Sequence, residues 1–372
     1  MKRSVTIDAR WLLGGIGTYT RQLLAGLARL RNSFDVAAIT RQQHAESVAN
    51  WCENIKIVDV PIYTIHEQLA VPWAAKDCDL LHVPHYNVPL FHRGPLIVSI
   101  LDLIHVTDPS YRDTLYSRIY AKPMLNLAAH KADHIITISN FSKAQIVEHL
   151  GVPPSKVTTI HCGVNGQFQC TDRREAFAMV AQHLRLREPY ILYVGNLKPH
   201  KNISILLKAF AVLHKRKAIP HHLLIVGDDR YGKRSLVEES LRLGISSFTH
   251  FVPHVSSQLL TNVYAAAEVL VMPSRVEGFG LPVLEAMASG TPVICSCAAS
   301  LPEVAGDAAL YFHPASSEEL ASQIERIVTS DSLQHVLRDK GLQRAKQLTW
   351  RSTVHKHVDV YEQMLDTSLK GS

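Results

Sequence analysis

The sequence lacks the features that define several large protein classes. None of its six cysteines stands in a Cys-x-x-Cys pair or at a spacing typical of a zinc site. No apolar run reaches the roughly 18 residues that a membrane-spanning helix needs. No long run of basic residues occurs despite the net charge of +6, so a nucleic-acid partner is disfavoured. With no signal peptide at the start, we expect free thiols and a cytoplasmic protein.

Several catalytic signatures are also missing. There is no Gly-x-Ser-x-Gly elbow, no His-Glu-x-x-His, no P-loop, and no Gly-x-Gly-x-x-Gly after the first strand-like run. A serine hydrolase and a dinucleotide-dependent dehydrogenase are therefore disfavoured. What is present is 372 residues, 47% apolar and 19% charged, which suits a globular protein of about two domains. The mild basicity fits an anionic small molecule or an anionic membrane surface.

Short apolar runs alternate with helical segments along the whole chain. The predicted strands cover residues 5–8, 36–40, 55–60, 80–83, 96–101, 134–139, 157–161, 190–195, 222–227, 249–252, 269–273, 292–295 and 309–312. Most are apolar at nearly consecutive positions, as in parallel strands covered on both faces. Two such βαβ sets predict an α/β protein of two doubly wound domains, residues 1–172 and 173–350. Residues 351–372 are predicted to begin with an amphipathic helix.

The first candidate loop follows the first strand. Gly14, Gly15 and Gly17 stand between this strand and a predicted helix. Glycines let backbone N–H groups approach a phosphate closely, and the helix dipole favours an anion there. A plain turn into the helix explains the same residues.

The second candidate loop runs from residue 195 to 203, again between a strand and a helix. It carries Lys198, His200 and Lys201 close together, as converging cations for a diphosphate would be. A solvated charged turn is the alternative.

The third candidate loop contains two glutamates, Glu277 and Glu285. Pro282 is expected at the first helical position, and the helix is expected to end near Ser289, before Gly290. Glu277 then lies in the loop, and Glu285 lies near the end of the first helical turn. Favourable interaction with the helix dipole explains Glu285 but not Glu277. The two carboxylates can be an acid/base pair or two separate contacts to one ligand.

Taken in order, these motifs resemble the family-4 retaining glycosyltransferases. The family motif Glu-x7-Glu matches Glu277 to Glu285. Supporting matches lie at residues 14–17, 138–142, 151–157, 195–201 and 264–274. The resemblance implies a GT-B fold of two facing Rossmann-like domains, with the C-terminal helix crossing back to the N-terminal domain.

The resemblance also implies a nucleotide diphosphate-sugar donor on the C-terminal domain. Glu285 would accept hydrogen bonds from the ribose, Glu277 would hold the sugar, and Lys201 would neutralise the leaving phosphate. The implied donor-binding residues are Gly15, Gly17, Asn196, Lys198, His200, Lys201, Glu277, Gly278, Phe279, Gly280, Leu281, Pro282 and Glu285.

The implied mechanism needs neither a cofactor nor a metal. Retention would follow front-face attack, with the leaving phosphate helping to deprotonate the acceptor. The expected catalytic residues are Glu277, Asp102 and Lys201. Two positions depart from the family: Leu101 stands where many relatives carry a His before the Asp, and Asn196 replaces a phosphate-binding Arg.

The acceptor is expected on the N-terminal domain. His85 and Tyr86 close a predicted strand and His105 lies near Asp102, so these three are the candidate acceptor contacts; a structural loop is the alternative for the first two. Residues 111–127, with Arg112, Arg118 and Lys122, either contact a membrane carrying a lipid-linked acceptor or form a plain domain helix.

The sequence therefore predicts a retaining transferase that moves a hexose to a saccharide hydroxyl. Overall likeness to bacterial mannosyltransferases of polysaccharide and O-antigen assembly makes GDP-mannose the leading donor and the cytoplasmic face of the inner membrane the expected place. A UDP-glucose or other UDP-hexose transferase is an alternative. A GT-B sugar-nucleotide epimerase, which would release free sugar without an acceptor, and an inactive nucleotide-binding protein are further alternatives.

Overall fold

A computed structural model describes residues 2–30, 33–108, 115–227 and 232–368. Within these ranges, unit 1 comprises residues 2–107, 115–162 and 350–368, and unit 2 comprises residues 163–349 together with Asp108. The boundary falls at Gly163 rather than at residue 173, where the sequence placed it. The intervening segment belongs with unit 2, because the Phe168 ring packs edge-on against Tyr264, with centroids 5.4 Å apart, and Val164 pairs with Thr349.

Unit 1 alternates strands and helices. Its elements are β1 (Arg3–Asp8), α1 (Gly14–Ala28), β2 (Phe34–Thr40), α2 (Ala45–Ala49), β3 (Asn54–Ile57), α3 (Glu67–Ala74), β4 (Leu80–Val83), β5 (Leu96–Ser99), α4 (Ile104–Thr107), α5 (Leu115–Lys131), β6 (His134–Thr137), α6 (Asn140–Leu150) and β7 (Val157–Thr159). The C-terminal helix α15 (Trp350–Ser368) also belongs to this unit.

Unit 2 repeats the pattern. Its elements are α7 (Arg173–Leu184), β8 (Tyr190–Val194), α8 (Ile203–Lys215), β9 (His222–Val226), α9 (Lys233–Arg242), β10 (Thr249–Val252), α10 (Ser257–Ala266), β11 (Val269–Met272), α11 (Leu281–Ala288), β12 (Val293–Ser296), α12 (Leu301–Ala305), β13 (Ala309–Phe312), α13 (Ser317–Val328) and α14 (Asp331–Gln347).

Both sheets are parallel and doubly wound, which confirms the predicted fold class. The strand order is β3-β2-β1-β4-β5-β6-β7 in unit 1 and β10-β9-β8-β11-β12-β13 in unit 2. Strands β4, β5, β11 and β12 are buried at every position, which explains their continuous apolar runs. In each sheet the order reverses beside the first strand, between β1 and β4 and between β8 and β11. Ligands of such sheets bind at the carboxyl ends of the strands at this point.

Helix α15 packs against α1 and closes unit 1. A Cβ at Gly26 of α1 would lie 2.3 Å from Cγ2 of Val354, so only glycine permits this close approach. Further along α15 the Tyr361 hydroxyl, fully buried, donates to Nδ1 of His82 on β4 over 2.6 Å. His82 Nε2 in turn lies 2.8 Å from the Ser99 hydroxyl on β5.

The same buried chain of hydrogen bonds continues back to α15. His357 Nδ1 lies 2.8 Å from the carbonyl oxygen of Thr353, so Nδ1 carries the proton and Nε2 accepts from the Tyr19 hydroxyl at 2.6 Å. Tyr19 then accepts from Ser99 at 2.9 Å. Burial lowers the pKa of His357 to about 4 and that of His82 well below its usual value, so both rings are neutral at pH 7.

No helix among the described residues is long and apolar enough to cross a membrane.

Candidate functional site

Two loops meet at the switch point of unit 2. Residues 195–202 follow β8 and residues 273–280 follow β11, and β8 and β11 are neighbours in the sheet. The N–H of Arg275 donates to the carbonyl oxygen of His200 over 2.9 Å. Asn202 secures the contact, because its Nδ2 donates to the carbonyl oxygens of Pro273 (3.0 Å) and Pro314 (2.8 Å). The second and third candidate loops of the sequence therefore form one site.

The centre of this site is an ion pair between Lys201 and Glu277. Lys201 Nζ donates to both carboxylate oxygens of Glu277, over 2.6 and 2.8 Å. The two side chains are only 12% and 8% exposed. The Ser274 hydroxyl donates to Glu277 Oε1 over 2.6 Å. Because the carboxylate is held from two sides, its orientation is fixed before any ligand binds.

The turn into α11 depends on Gly280. Its φ of 105° lies in the left-handed region, and a Cβ there would be 2.8 Å from Leu301 Cδ2. Helix α11 begins at Leu281, so Pro282 takes the second helical position rather than the first. Ser300 Oγ lies 2.9 Å from the carbonyl oxygens of both Glu277 and Phe279. These contacts hold the loop so that its backbone leads directly into the helix N-terminus, where the dipole favours an anion.

The Phe279 side chain is buried, at 3% exposure. Any contact that Phe279 makes with a donor must therefore come through its backbone.

Glu285 lies in a separate environment from Glu277. The sequence predicted Glu285 near the end of the first helical turn. It is the fifth residue of α11 and therefore lies just beyond that turn. The buried hydroxyl of Tyr264 donates to its Oε2 over 2.7 Å. Burial raises the pKa of Glu285 to about 7, although the hydrogen bond from Tyr264 opposes the shift. The two glutamates therefore do not form a hydrogen-bonded pair, and each has its own partner.

The loop after β8 is shaped by Gly195 and Tyr193. Gly195 has a φ of 151°, and the Tyr193 hydroxyl donates to the carbonyl oxygen of Asn196 over 2.7 Å. The N–H of Lys198 donates to Asn196 Oδ1 over 3.3 Å, so this asparagine stabilises the loop itself. Burial lowers the pKa of His200 to about 4. The expectation of a third cation here is therefore wrong at neutral pH: the imidazole is neutral, and Lys198 and Lys201 supply the charge.

The glycines of the first candidate loop divide into two kinds. A Cβ at Gly17 would lie 2.1 Å from the carbonyl carbon of Leu12, so the structure gives this buried glycine a packing role. A Cβ at Gly15 would meet nothing within 4 Å, and this residue is exposed at the start of α1. Of these two predicted donor contacts, Gly15 is the one with open space beside it.

His85 and Tyr86 follow β4 and lie in an aromatic group. The rings of His85 and Tyr86 stack with centroids 4.2 Å apart, and the Trp11 ring also stacks with His85, with centroids 6.1 Å apart. Asn87 N–H donates to His85 Nδ1 over 3.1 Å, so Nε2 carries the proton and faces the Tyr63 hydroxyl at 3.3 Å. Burial lowers the pKa of His85 to about 3, so it is a neutral hydrogen-bonding ring.

A buried ion group lies beneath these rings. Arg10, 4% exposed, donates to Asp8 Oδ2 over 2.8 Å and to Glu67 Oε2 over 3.1 Å. Glu67 also accepts from the backbone N–H of Tyr63 and from Asn87. The group therefore ties the loop after β1 to the start of α3, to the turn before that helix and to the loop after β4, and so positions the aromatic side chains.

Asp102 and His105 lie after β5, the next strand of the same sheet. Asp102 Oδ1 accepts the N–H of Ile104 over 3.1 Å and so stabilises the start of α4. His105 is exposed on α4. Nothing in these contacts tests the expected catalytic role of Asp102 or the acceptor role of His105, which remain predictions.

Several members of the two sites were not singled out in the sequence. They are Tyr264, Ser274, Asn202 and Ser300 in unit 2, and Arg10, Trp11, Tyr63 and Glu67 in unit 1. Tyr264 and Ser274 stand at the two ends of the segment 264–274 that resembles the family, so their position could have suggested them. Glu67 could not be linked to Arg10 in this way, because only the fold brings these two residues together. Among the described residues, no group of three or more His, Cys, Asp or Glu is placed to hold a metal ion.

The fold and site define a class before any relative is compared: a two-unit α/β protein with a charged ligand site at the switch point of its second sheet. Comparison with known proteins supports this description and identifies the family. The model of the glycosyl transferases group 1 matches residues 176–344, and the model of glycosyltransferase family 4 matches residues 13–168. The O-antigen chain mannosyltransferase B of Escherichia coli is 31% identical over 298 residues, which cover 78% of this chain and 76% of that protein. The chain therefore belongs to the family-4 glycosyltransferases and is an enzyme of that class.

Other relatives extend the comparison. The O-antigen chain mannosyltransferase RfbU of Salmonella typhimurium is 29% identical over 67% of this chain and 64% of its own length. Among solved structures, sucrose-phosphate synthase from Thermosynechococcus elongatus has a TM-score of 0.78 at 22% identity, covering 98% of this chain and all of that one. Anabaena HepE in complex with UDP-glucose has a TM-score of 0.77 at 17% identity, covering 97% and 99%. At these identities the structures support the GT-B fold alone.

Proposed function

We propose that this enzyme transfers mannose from GDP-mannose to a saccharide hydroxyl, with retention of the anomeric configuration, in the synthesis of a bacterial cell-surface polysaccharide. The observation that carries the proposal is the Lys201–Glu277 ion pair beside the N-terminus of α11. This arrangement offers a cation and a helix dipole to a diphosphate, and a fixed carboxylate to a sugar. The choice of mannose is supported by the relatives, several of which are mannosyltransferases.

The donor diphosphate would bind at the start of α11. The backbone N–H groups of residues 278–281 lie at the end of the loop that Ser274 and Ser300 hold in place. Lys201, with Lys198 in the same loop, would neutralise the charge that develops on the leaving phosphate. His200, neutral at pH 7, would contribute a hydrogen bond rather than a charge.

Glu285 would hold the ribose of the donor. A carboxylate can accept two hydroxyl protons at once, which suits the 2′- and 3′-hydroxyls. Tyr264 occupies one of its oxygens and fixes the side chain. The predicted contacts of Glu277 with the sugar and of Glu285 with the ribose would set the donor's direction along α11.

The transfer itself needs no protein nucleophile. The acceptor oxygen would attack the anomeric carbon from the face that the phosphate leaves, and the acceptor proton would pass to a phosphate oxygen. A new glycosidic bond forms as the bond to the phosphate breaks, so the products are a glycoside and GDP. The protein supplies charge stabilisation and orientation.

The acceptor would bind on unit 1 beside Trp11, Tyr63, His85 and Tyr86. Aromatic faces pack well against the apolar faces of sugar rings, and the neutral His85 adds a hydrogen-bonding edge. A saccharide, free or attached to a lipid on the cytoplasmic side of a membrane, fits this chemistry.

The proposal is tested with nucleotides first. GDP, UDP, ADP and dTDP are compared by thermal shift, because a ligand that binds only the native state raises the melting temperature. We expect GDP to give the largest shift, and GDP-mannose to be consumed only when a mannose-containing acceptor is present. A larger shift with UDP would favour a UDP-hexose transferase instead. Hydrolysis of the donor with no acceptor would favour the epimerase-type reaction, and no shift with any nucleotide would refute the donor site.

A further inference from the structure

Exposed apolar side chains are concentrated on one part of unit 1. Six large ones belong to α3 and the turn before it, to the segment after β4, and to α5. They are Ile65 (83% exposed), Leu69 (64%), Trp73 (73%), Phe91 (62%), Ile119 (65%) and Leu127 (48%). Unit 2, though longer, has only Met179, Leu241 and Val336 in this category among the described residues. We call the six residues the apolar surface.

The elements that carry the apolar surface lie side by side. The inner faces of α3 and α5 share one hydrophobic core, with Val71 and Ala74 from the first helix and Leu125 and Ala128 from the second. Their outer faces therefore lie on the same side of the sheet, because both helices cover that core.

The segment after β4 joins the two helices. The N–H of Leu90 donates to Gln68 Oε1 on α3 over 2.6 Å, and Lys131 Nζ at the end of α5 donates to the carbonyl oxygen of His92 over 2.7 Å. Phe91 lies between these two contacts. Leu69 and Trp73 are one turn apart on α3 and so face the same way. The six side chains thus belong to one continuous part of the molecule.

Positive charges predominate in this region. Lys76 Nζ lies 5.4 Å from the centre of the Trp73 ring, and Arg93 and Lys122 are exposed beside Phe91 and on α5. In residues 65–76, 89–94 and 115–131 the sole carboxylate is Glu67, which is buried and paired with Arg10. The exposed Asp77 and Asp133 stand just beyond these ranges, and Asp133 already accepts the N–H of Leu96.

We propose that the apolar surface binds the interface of a lipid bilayer that contains anionic lipid. Tryptophan, leucine and isoleucine would insert at the level of the headgroups, while the lysines and arginine would contact lipid phosphates. A second copy of this chain fits less well, since a two-fold contact would bring Lys76, Arg93 and Lys122 against the same cations. The sequence-based expectation placed membrane contact at residues 111–127; residues 109–114 lie outside the described residues, and the structure moves the centre of the surface to α3 and Phe91.

The test is binding to vesicles of phosphatidylcholine with and without phosphatidylglycerol, measured by flotation at two salt concentrations. We expect the protein to float with vesicles that contain phosphatidylglycerol and to do so less at high salt. The double variant Leu69→Glu/Trp73→Glu should lose at least about tenfold in partitioning, because two charges replace the inserted side chains. Lys76→Glu/Lys122→Glu should weaken binding to the anionic vesicles only.

The matched control is Leu241→Glu/Val336→Glu, which places the same charges on exposed apolar positions of unit 2 and should float like the parent protein. Melting temperature and nucleotide binding should be unchanged in all variants, which separates this proposal from the donor site. Equal flotation of Leu69→Glu/Trp73→Glu and the parent, or no flotation of the parent, would refute the proposal. So would a concentration-dependent dimer that the double variant abolishes, since a second copy would then be the occupant.

Discussion

Glu277 and Glu285 have different hydrogen-bonding partners, and this difference supports the separate roles proposed for them. The Glu277 carboxylate accepts hydrogen bonds from Lys201 and Ser274, which hold it in one orientation. This arrangement does not suit a group that transfers a proton during the reaction. Glu285 has one hydroxyl partner, Tyr264, and retains acceptor capacity for a ligand. The first therefore suits orientation of the reacting sugar, and the second suits binding of the nucleotide.

The division of roles gives a prediction for two substitutions. Glu285→Ala should weaken GDP binding about tenfold or more, since a charged acceptor of hydroxyl protons is lost. Glu277→Ala should leave GDP binding nearly unchanged, because Lys201 becomes available to the phosphates, and should lower kcat by roughly 10²–10³-fold. Calorimetric titration with GDP and steady-state kinetics measure the two effects. Equal loss of GDP affinity in both variants would contradict this division.

If Glu285 holds the donor ribose as proposed, its raised pKa should make donor binding depend on pH. At pH 6 most of this carboxyl is protonated and offers fewer acceptor sites, whereas at pH 8 it is ionised. The affinity for GDP should therefore rise as the pH increases from about 6 to 8. In Glu285→Gln the rise should be absent, and a rise of the same size in that variant would assign the titration to another group.

The raised pKa of Glu285 also affects the stability of the folded protein. Stability should fall over the pH range in which GDP affinity rises. The folded-state pKa of about 7 lies above the ordinary value of 4.5, so the contribution of Glu285 to stability is present below pH 4.5 and is lost as the pH rises through 7. Without nucleotide, Glu285→Gln should melt at a higher temperature than the parent at pH 8 and at a similar temperature at pH 5. The ligand site thus contains a residue that favours function over stability.

At the scale of one element, α1 contains two glycines with different roles. Gly17 is packed against the backbone of Leu12, whereas Gly15 faces open space. Gly17→Ala should destabilise unit 1 by roughly 1–3 kcal/mol, because its Cβ would overlap the backbone of Leu12. Gly15→Ala should leave the melting temperature unchanged or raise it slightly, since nothing lies within 4 Å of the added carbon. If a donor phosphate approaches this helix, Gly15→Ala should still raise the KM for the donor. Thermal melts and donor kinetics on both variants separate the two cases.

The strands and helices could be predicted because each carries its own local signal. All thirteen predicted strands are present, since buried parallel strands need continuous apolar runs that few other elements show. The loop containing Glu277 was also predictable, because Gly280, Pro282 and Gly290 mark its helix on both sides. The largest difference is at the end of β3, at Ile57 instead of Val60, while β1 and β2 begin two residues earlier than predicted and β5, β6 and β7 end two residues earlier.

The contacts that fix the site were not predictable in the same way. Asn202 reaches two carbonyl oxygens, of Pro273 and Pro314, that are far from it in sequence. Arg10 meets Glu67 only because α3 lies beside the loop after β1. Such contacts depend on how elements pack, and single-residue patterns carry no information about them. The neutral state of His200 was also not predictable from the sequence, because it follows from the burial of the side chain, which only the structure reveals.

At the scale of the whole molecule, the buried histidines under α15 predict sensitivity to acid. The pKa of His357 falls to about 4 from an ordinary value of 6.5, so its contribution to stability is present above pH 6.5 and is lost as the pH falls through 4. Protonation would put a second proton on a ring whose Nε2 must accept from Tyr19. The shift corresponds to up to roughly 3 kcal/mol.

The substitution His357→Gln tests the predicted acid sensitivity. Glutamine can keep the hydrogen bonds to Thr353 and Tyr19 but does not titrate. Between pH 6.5 and 4 the melting temperature of the parent should fall more steeply than that of the variant. His149→Gln, on the exposed side of α6, is the matched control and should follow the parent. If the two variants have equal slopes, the acid sensitivity originates elsewhere in the molecule.

The position of α15 also governs the order in which the protein can be completed during synthesis. Unit 2 is essentially continuous from Gly163 to Thr349, whereas unit 1 needs the helix that begins at Trp350. The ribosome therefore finishes the second unit before it releases the last part of the first. Until then the faces of α1 and β4 that Val354 and Tyr361 cover are open, with Gly26 and His82 exposed to solvent or to a chaperone. A truncated chain that stops before α15 would keep a complete second unit attached to an unfinished first unit.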